Sequence, residues 1–221
     1  MGFDAVIFDC DGVLVDSVPA TLNILRDMLA DIGWPLSVEQ CQTLFVGTST
    51  THSLDLIKEH VGKKLEQDWI DEFLLRRHQA MRQKTVAIPG IHDCLSQLQS
   101  HWPQQLACAS AAQLDDIRLM LGLARLDLFF NNQLYSGMDV PYNKPYPDVY
   151  QAAAAGLGVA PSACAVIEDS VIGVQAGVSA GATVFAYHTG QRGNALREAG
   201  AHLVFNDMHE LPELLTQHCS A

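Results

Sequence analysis

Two aspartates stand directly after the first apolar run of the chain, where Ala5–Phe8 leads into Asp9, Cys10 and Asp11. Successive side chains of an extended chain point to opposite sides, so the carboxylates of Asp9 and Asp11 share one side and Cys10 lies on the other. Two carboxylates this close repel each other unless a cation lies between them or one is protonated. The pair indicates acid–base or metal chemistry, and an acidic turn is the alternative.

A second acidic pair, Glu168 and Asp169, closes the apolar run Ala165–Ile167. Carboxylate oxygens are ligands that Mg²⁺ prefers, and Mg²⁺ in proteins commonly keeps waters and shares a substrate phosphate. The alternative is that Asp169 caps the helix that follows. Because Asp9 and Asp11 end another such run, we favour a Mg²⁺ site built from both pairs.

A phosphate ligand would need local positive charge, because 13 Lys and Arg against 25 Asp and Glu give a formal net charge of −12. Ser110 follows the apolar run Leu106–Ala109, and we expect it to open a helix whose free N–H groups cradle phosphate. An ordinary helix cap is the alternative. Lys144 lies in a loop stiffened by Pro145 and Pro147. This setting favours a fixed ammonium beside a phosphate over a solvated surface lysine.

The elements that must position these residues alternate along the chain. Helical spacing follows the earlier of the apolar runs that are typical of buried strands, which lie at Ala5–Phe8, Leu106–Ala109, Ala165–Ile167 and Thr183–Ala186. This alternation predicts an α/β fold with a doubly wound parallel sheet. Ligands of such sheets bind beyond the carboxyl ends of the strands, where the polar residues above are found.

Residues 17–85 differ from the rest, because they contain no strand-like run, show helical periodicity and carry most of the lysines and arginines. Asp16 is expected to cap the first helix of this region. Pro89 and Gly90 mark the return to the α/β pattern. We predict a core domain of residues 1–15 and 86–221, interrupted by an all-helical cap domain of residues 16–85.

Composition excludes several classes of function. The acidic surface disfavours nucleic acid as a partner. The uncharged stretches 149–167 and 170–187 are interrupted by glycines and, in the first, Pro161, so no membrane span is expected. The six cysteines form no C-x-x-C pattern, and we expect reduced, largely buried thiols in a cytoplasmic protein.

Two further patterns carry no such chemistry. The segment 177–181 matches G-x-S-x-G, but that motif needs a strand running straight into the turn, and Ser179 falls near the end of a predicted helix. We expect Gly173, Gly177 and Gly181 to let this helix pack closely on the sheet. The nine histidines show neither H-E-x-x-H nor a zinc-binding spacing with cysteine.

Four motifs, taken in chain order, resemble the signature of the haloacid dehalogenase-like hydrolase superfamily. They are Asp9-Cys10-Asp11-Gly12-Val13-Leu14-Val15-Asp16-Ser17, Ser110, Lys144-Pro145, and Glu168-Asp169-Ser170 with the glycines that follow. The resemblance extends over essentially the whole chain. It implies a Rossmann-like core with a C1-type helical cap, as in the phosphatase/β-phosphoglucomutase-like branch.

The resemblance also implies a role for each motif residue. Asp9 would be the nucleophile that forms an aspartyl-phosphate, and Asp11 the general acid and then the general base. The phosphate would be bound by Ser110, Ala111 and Lys144. Mg²⁺ would be held by Asp9, the backbone carbonyl of Asp11, Glu168 and Asp169.

The implied function is a Mg²⁺-dependent phosphatase, acting as a monomer on a small phosphate monoester such as a sugar or polyol phosphate. A phosphosugar mutase of the β-phosphoglucomutase type is the alternative, but Thr21 and Thr50 stand where that branch has histidine and arginine. A non-catalytic binding module is a third hypothesis, which the intact Asp9 and Asp11 disfavour. The segment 46–50 is expected to border the leaving group.

Overall fold

The computed structural model of the chain describes residues 2–45, 50–62, 67–190 and 193–217, with the backbone alone at 50–52, 78 and 81–84. These residues form eight strands: β1 (Ala5–Phe8), β2 (Val15–Asp16), β3 (Val86–Ala87), β4 (Leu106–Ser110), β5 (Leu134–Ser136), β6 (Cys164–Glu168), β7 (Thr183–Tyr187) and β8 (Leu203–Phe205). They form ten α-helices: α1 (Val18–Asp31), α2 (Val38–Phe45), α3 (Thr50–Val61), α4 (Gln67–Lys84), α5 (Ile91–His101), α6 (Leu114–Leu123), α7 (Asp148–Gly156), α8 (Val171–Ala180), α9 (Gly193–Glu198) and α10 (Leu211–Gln217).

The central sheet has six strands in the order β5-β4-β1-β6-β7-β8, and each neighbouring pair is parallel. All four residues of β1 are buried, as expected for a strand covered on both faces. The predicted α/β fold with a parallel sheet is confirmed. Because β1 lies between β4 and β6, the three carboxyl ends meet at one edge of the sheet.

Apolar side chains cover both faces of this sheet. Ile7 belongs to the buried cluster that contains Tyr150 and Ala153 of α7. Phe8 faces the opposite side and packs edge-on against Phe130, with ring centroids 6.2 Å apart. On α8, a Cβ at Gly177 would lie 2.8 Å from the Val184 side chain of β7, so this glycine provides the close helix-on-sheet packing that the sequence predicted.

The chain divides into two compact units, one formed by Met1–Asp16 and Val86–Ala221 and the other by Ser17–Thr85. The described part of the second unit consists of α1 to α4. Its apolar core gathers Leu22, Leu25 and Leu29 from one face of α1 with Trp34 and Ile57. The helical periodicity of the sequence corresponds to this buried face.

Local boundaries differ from the sequence expectation at two positions. Asp16 does not cap α1, because it ends β2 and Ser17 is the N-cap residue. Ser110 does not open a helix either, since it is the last residue of β4 and α6 begins only at Leu114. Polar residues beside an apolar run thus marked the ends of strands correctly and the starts of helices incorrectly.

Several expectations about composition can be compared with the described residues. None of their helices is long and apolar enough to cross a membrane. The five described cysteines are buried and none is in a disulfide, as predicted, whereas Cys219 lies outside the described residues. The G-x-S-x-G segment is also as predicted, because Ser179 lies near the end of α8.

Candidate active site

The predicted site residues come together at the carboxyl ends of three adjacent strands. Asp9 follows β1, Ser110 ends β4 and Glu168 ends β6. All three side chains are buried. Burial is rare for carboxylates such as Asp9 and Glu168 unless they are paired. The parallel order β4-β1-β6 therefore joins residues that are far apart in the sequence.

Lys144 supplies the positive charge at this edge. Its Nζ donates to Asp9 Oδ1 at 2.5 Å, to Glu168 Oε1 at 2.8 Å and to the backbone carbonyl of Ala109 at 3.1 Å. Only 3% of its side chain is exposed. Burial alone would lower the pKa of Lys144, but the charges of Asp9 and Glu168 raise that pKa well above its ordinary value. Lys144 is therefore a fixed buried cation and not a solvated surface lysine.

Glu168 is fully buried, and both of its oxygens are occupied by donors. Oε1 accepts from Lys144 Nζ and, at 2.7 Å, from the hydroxyl of Tyr150. Oε2 accepts from the backbone N–H of Asp169 and from the N–H and hydroxyl of Ser170 at 2.9–3.0 Å. A Cβ at Gly173 would lie 1.7 Å from Oε1, so this glycine makes room for the carboxylate.

The Asp169 side chain packs against the turn that follows β1. A Cβ at Gly12 would lie 2.2 Å from Asp169 Oδ2, and Gly12 also has φ = +88°, a conformation that glycine adopts most readily. Asp169 does not cap α8, because Ser170 is the N-cap residue and its side chain accepts from the N–H of Gly173. The structure thus disfavours the helix-cap interpretation of Asp169.

Burial and the neighbouring charges shift the pKa values of the carboxylates at this edge. Burial raises the pKa of Asp9 to about 7, and the charges of Glu168 and Asp11 act in the same direction, while Lys144 opposes them. Burial and the charges of Glu168, Asp9 and Asp11 also raise the pKa of Asp169 well above its ordinary value. For Glu168, burial would raise the pKa, but Lys144 and hydrogen bonds from Lys144, Ser170 and Tyr150 lower it.

The donor set at this edge suits a hard divalent cation. Asp9, Glu168 and Asp169 each offer a carboxylate oxygen, and these atoms lie within 4.8 Å of one another. All-oxygen ligands of this kind fit Mg²⁺. The raised pKa values of Asp9 and Asp169 fit the same conclusion, because a bound cation would offset the burial and the neighbouring negative charges that raise them.

The Ser110 segment is connected to the lysine loop by a second group of hydrogen bonds. The Ser110 hydroxyl accepts from the N–H of Ala112 at 3.2 Å. Asn143 Nδ2 donates to the carbonyl of Ala111 at 3.0 Å, and Asn143 Oδ1 accepts from the N–H of Lys144 at 2.8 Å. Ser136 at the end of β5 donates to the carbonyl of Ala112 at 2.7 Å. Ser110, Ala111 and Lys144 are thus held in one connected network.

Comparison with known proteins identifies the family of the chain. The family model described as haloacid dehalogenase-like hydrolase matches residues 3–181. The chain belongs to this family. The matched residues include all four motifs, from Asp9 to Ser170. The family resemblance of these motifs is therefore confirmed.

Several individual proteins are similar to nearly the whole chain. A phosphorylated carbohydrates phosphatase of Thermotoga maritima is 30% identical over 206 residues, or 90% of this chain and 92% of that protein. A haloacid dehalogenase-like protein of unknown function from Agrobacterium tumefaciens has a TM-score of 0.89 with 29% identity, and the match covers 99% of this chain and all of that one. A family hydrolase of Deinococcus radiodurans with bound phosphate and sodium has a TM-score of 0.82 with 32% identity, and the match covers 97% and 96% of the two chains. The prediction of an enzyme that hydrolyses phosphoric monoesters is confirmed at the level of enzyme class.

Sequence reasoning missed three polar residues of the network: Ser136, Asn143 and Tyr150. A signal existed for Tyr150, because a phenol in an apolar, alanine-rich helix must find a hydrogen-bond partner if it is buried. For Ser136 and Asn143 no comparable local signal exists, since the bonds that connect them to the Ser110 segment, to the carbonyls of Ala112 and Ala111, reach across distant parts of the sequence. Residues 46–49, expected beside the leaving group, lie outside the described residues, and at Thr50 only the backbone is described.

Proposed function

We propose that this member of the haloacid dehalogenase-like family is a Mg²⁺-dependent phosphatase that hydrolyses a phosphorylated carbohydrate through an aspartyl-phosphate on Asp9. The observation that carries the proposal is the buried Lys144 ammonium, which joins Asp9 to Glu168 where β1 and β6 end. This ammonium orients one oxygen of Asp9. It also gives an otherwise acidic site the positive charge that a phosphate needs.

Mg²⁺ would be held by the carboxylates of Asp9 and Asp169 and by the backbone carbonyl of Asp11. When bound, it supplies charge neutralisation for the transferring phosphoryl group. Glu168 belongs to the same cluster by distance, but its two oxygens already accept five hydrogen bonds. We therefore assign Glu168 to holding Lys144 and the start of α8, in place of the direct ligand role that the family resemblance implied.

The proposed reaction has two displacement steps, and the first forms the covalent intermediate. A carboxylate oxygen of Asp9 forms a bond to phosphorus while the ester P–O bond breaks. The leaving oxygen takes its proton from Asp11 and departs as an alcohol. Lys144 and the Ser110 segment hold the phosphoryl oxygens during this transfer.

The second step returns the enzyme to its starting state. Asp11, now ionised, takes a proton from a water molecule, whose oxygen attacks the phosphorus of the aspartyl-phosphate. The bond between phosphorus and the Asp9 oxygen breaks and inorganic phosphate is released. Asp9 is again a carboxylate and Asp11 is again protonated.

The substrate class and the role of the helical unit are part of the same proposal. The similarity to a phosphorylated carbohydrates phosphatase, over 92% of that protein, supports a phosphorylated sugar or polyol as the ester. We assign Ser17–Thr85 as the cap domain that determines which ester is accepted. The distinct helical core of this unit supports its treatment as a separate domain.

The test is release of inorganic phosphate from a panel of sugar, polyol and other phosphate monoesters, with Mg²⁺ or with EDTA. We expect Mg²⁺-dependent release that Asp9→Asn lowers by more than about 10³-fold. Asp115→Asn is the matched control, because Asp115 is 93% exposed and pairs only loosely with Arg118 at 3.4 Å. Isomerised ester without free phosphate would instead indicate the mutase. Ligand binding without turnover would indicate a binding module.

A further inference from the structure

Tyr150 contacts both members of the buried ion pair, although it lies outside the four motifs. Its side chain is 1% exposed and belongs to α7. The hydroxyl donates to Glu168 Oε1 at 2.7 Å. The ring lies beneath the ammonium of Lys144, with Nζ 4.7 Å from the ring centroid.

These two contacts restrict where the ammonium can lie. Lysine has a flexible stem and a compact charge, so its position depends on the surrounding acceptors. Lys144 donates to Asp9, Glu168 and the carbonyl of Ala109, and it shares Glu168 Oε1 with the Tyr150 hydroxyl. With that hydroxyl present, Oε1 has two donors, and the negative face of the ring supports the cation from one side.

Removing the hydroxyl would change this balance. Glu168 Oε1 would lose one of its two donors and keep Lys144. The ammonium would then be drawn towards Glu168 and away from Asp9. The distance from Nζ to Asp9 Oδ1 would then increase, and Asp9 would lose orientation. Lys144 would also be displaced from the place where a phosphoryl oxygen is proposed to bind.

We propose that Tyr150 is a positioning residue for the hydrolysis, which holds Lys144 between Asp9 and Glu168 through its hydroxyl and its ring. The inference rests on the proposed function, since positioning Lys144 matters only if Lys144 binds phosphate. Tyr150 acts through Lys144 and Glu168 and does not touch the substrate. A purely apolar role in the cluster with Ile7 and Ala153 would need only the ring.

The test compares Tyr150→Phe with Tyr135→Phe. Each change removes one hydroxyl, and the Tyr135 hydroxyl donates to Gln133 Oε1, which is not part of the ion pair. Calorimetry measures the binding of inorganic phosphate in the presence of Mg²⁺. Steady-state kinetics with p-nitrophenyl phosphate as the substrate give kcat and KM. For Tyr150→Phe we expect phosphate binding and kcat to fall by about 10-fold or more, as for supporting residues around other sites. For Tyr135→Phe both should stay within about twofold of the wild type.

Rescue separates positioning from packing. 4-Aminophenylalanine at position 150 restores an N–H donor at the para position and should restore most of the phosphate affinity. 4-Fluorophenylalanine fills the hydroxyl volume without a donor, and it takes the place of Tyr150→Phe if that variant does not fold. Thermal unfolding of each variant confirms that binding is measured on folded protein.

The outcomes distinguish this inference from the proposed function. If the wild type binds phosphate but hydrolyses no ester, the proposed function fails, and the phosphate affinities still decide the role of Tyr150. If Tyr150→Phe is folded and binds phosphate as tightly as Tyr135→Phe does, the inference is wrong whether or not the enzyme turns over. Equal weakening by the amino and fluoro replacements would also overturn it.

Discussion

The ion pairs of the helical unit differ in burial from the ion pairs of the candidate active site. In the helical unit Ser17–Thr85, the described ion pairs are exposed, as with Arg76 and Glu72, whose side chains are each 45% exposed. At the ends of β1 and β6, Lys144 and Glu168 pair with side chains 3% and 1% exposed. Exposed pairs contribute little to stability, whereas buried charges cost free energy unless every partner is present. The proposed function of the site accounts for the burial of Lys144 and Glu168, which packing alone would disfavour.

The largest difference in the free energy of unfolding should come from removing the lysine of a buried or of an exposed ion pair. Lys144→Met leaves Asp9 and Glu168 without their cation, and we expect it to lower the free energy of unfolding by about 3–5 kcal/mol. Lys58→Met is the matched control, because Lys58 is 44% exposed and lies 3.6 Å from Asp55. Its loss should stay within about 1 kcal/mol. Urea denaturation of both variants gives the two values, and equal losses would abolish the contrast.

Two glycine-to-alanine substitutions compare the crowded site around Glu168 with an open position in α6. Gly173→Ala places a methyl group 1.7 Å from Glu168 Oε1, and we expect a loss of about 1–3 kcal/mol together with lower activity. Gly122→Ala in α6 meets no atom within 4 Å and should be neutral or stabilising by up to about 1 kcal/mol. Thermal unfolding and phosphate release measure both effects. Full activity in Gly173→Ala would mean that the position of Glu168 is not critical.

The buried carboxylates predict how stability depends on pH. Burial raises the pKa of Asp9 from 3.8 to about 7, so the folded state binds this proton more tightly than the unfolded state. The stabilisation from Asp9 is complete below about pH 4 and is lost as pH rises through about 7, a change of more than about 1 kcal/mol. Melting temperatures in EDTA should therefore fall over this range.

The same carboxylates must ionise to bind Mg²⁺, so the stabilisation by Mg²⁺ should be greater at pH 8 than at pH 5. Melting temperatures with Mg²⁺ and with EDTA at both pH values measure it. In Asp9→Asn, the melting temperature in EDTA should fall less steeply as pH rises, because one titrating group is gone. A wild-type protein that became more stable from pH 5 to pH 7 in EDTA would contradict this electrostatic account.

The smallest expected effect concerns two asparagines. Asn143→Ala removes the bonds to the Ala111 carbonyl and the Lys144 N–H, and should cost about 1 kcal/mol and reduce phosphate release several-fold. Asn23→Ala in α1 removes two exposed bonds, one to the Pro19 carbonyl and one from Arg26, and should leave release unchanged. Kinetic assays of the two variants decide. Identical kinetics would show that the link between the Ser110 segment and Lys144 is dispensable.

Sequence patterns predicted the central strands and the motif residues well. The run Ala5–Phe8 matches β1, and Leu106–Ala109 differs from β4 by one residue. The three-residue strands β5 and β8 were missed because they form the edges of the sheet and are partly exposed, so neither has a fully buried apolar run.

In the site as well, local sequence patterns predicted some residues, whereas contacts between distant segments could not be predicted. Residues at strand ends could be found because the sheet brings those ends together. The capping role assigned to Asp16 was wrong because Asp16 pairs with Val86 of β3, and a two-residue strand leaves no apolar run in the sequence that would reveal it. The sequence signalled that Tyr150 needs a hydrogen-bond partner, but its partner Glu168 and the Ala111 carbonyl bound by Asn143 lie in distant segments. Only the fold could identify these partners.

The most direct test of the account is to find the phosphoryl group during turnover. The wild-type enzyme is mixed with a hydrolysed ester and Mg²⁺, stopped with acid within one turnover, and digested for peptide mass spectrometry. We predict one added phosphoryl group on the peptide that contains Asp9, and none in Asp9→Asn treated in the same way. Phosphate release with an unmodified Asp9, or with the phosphoryl group on another residue, would contradict the central claim that the buried Asp9 is the nucleophile.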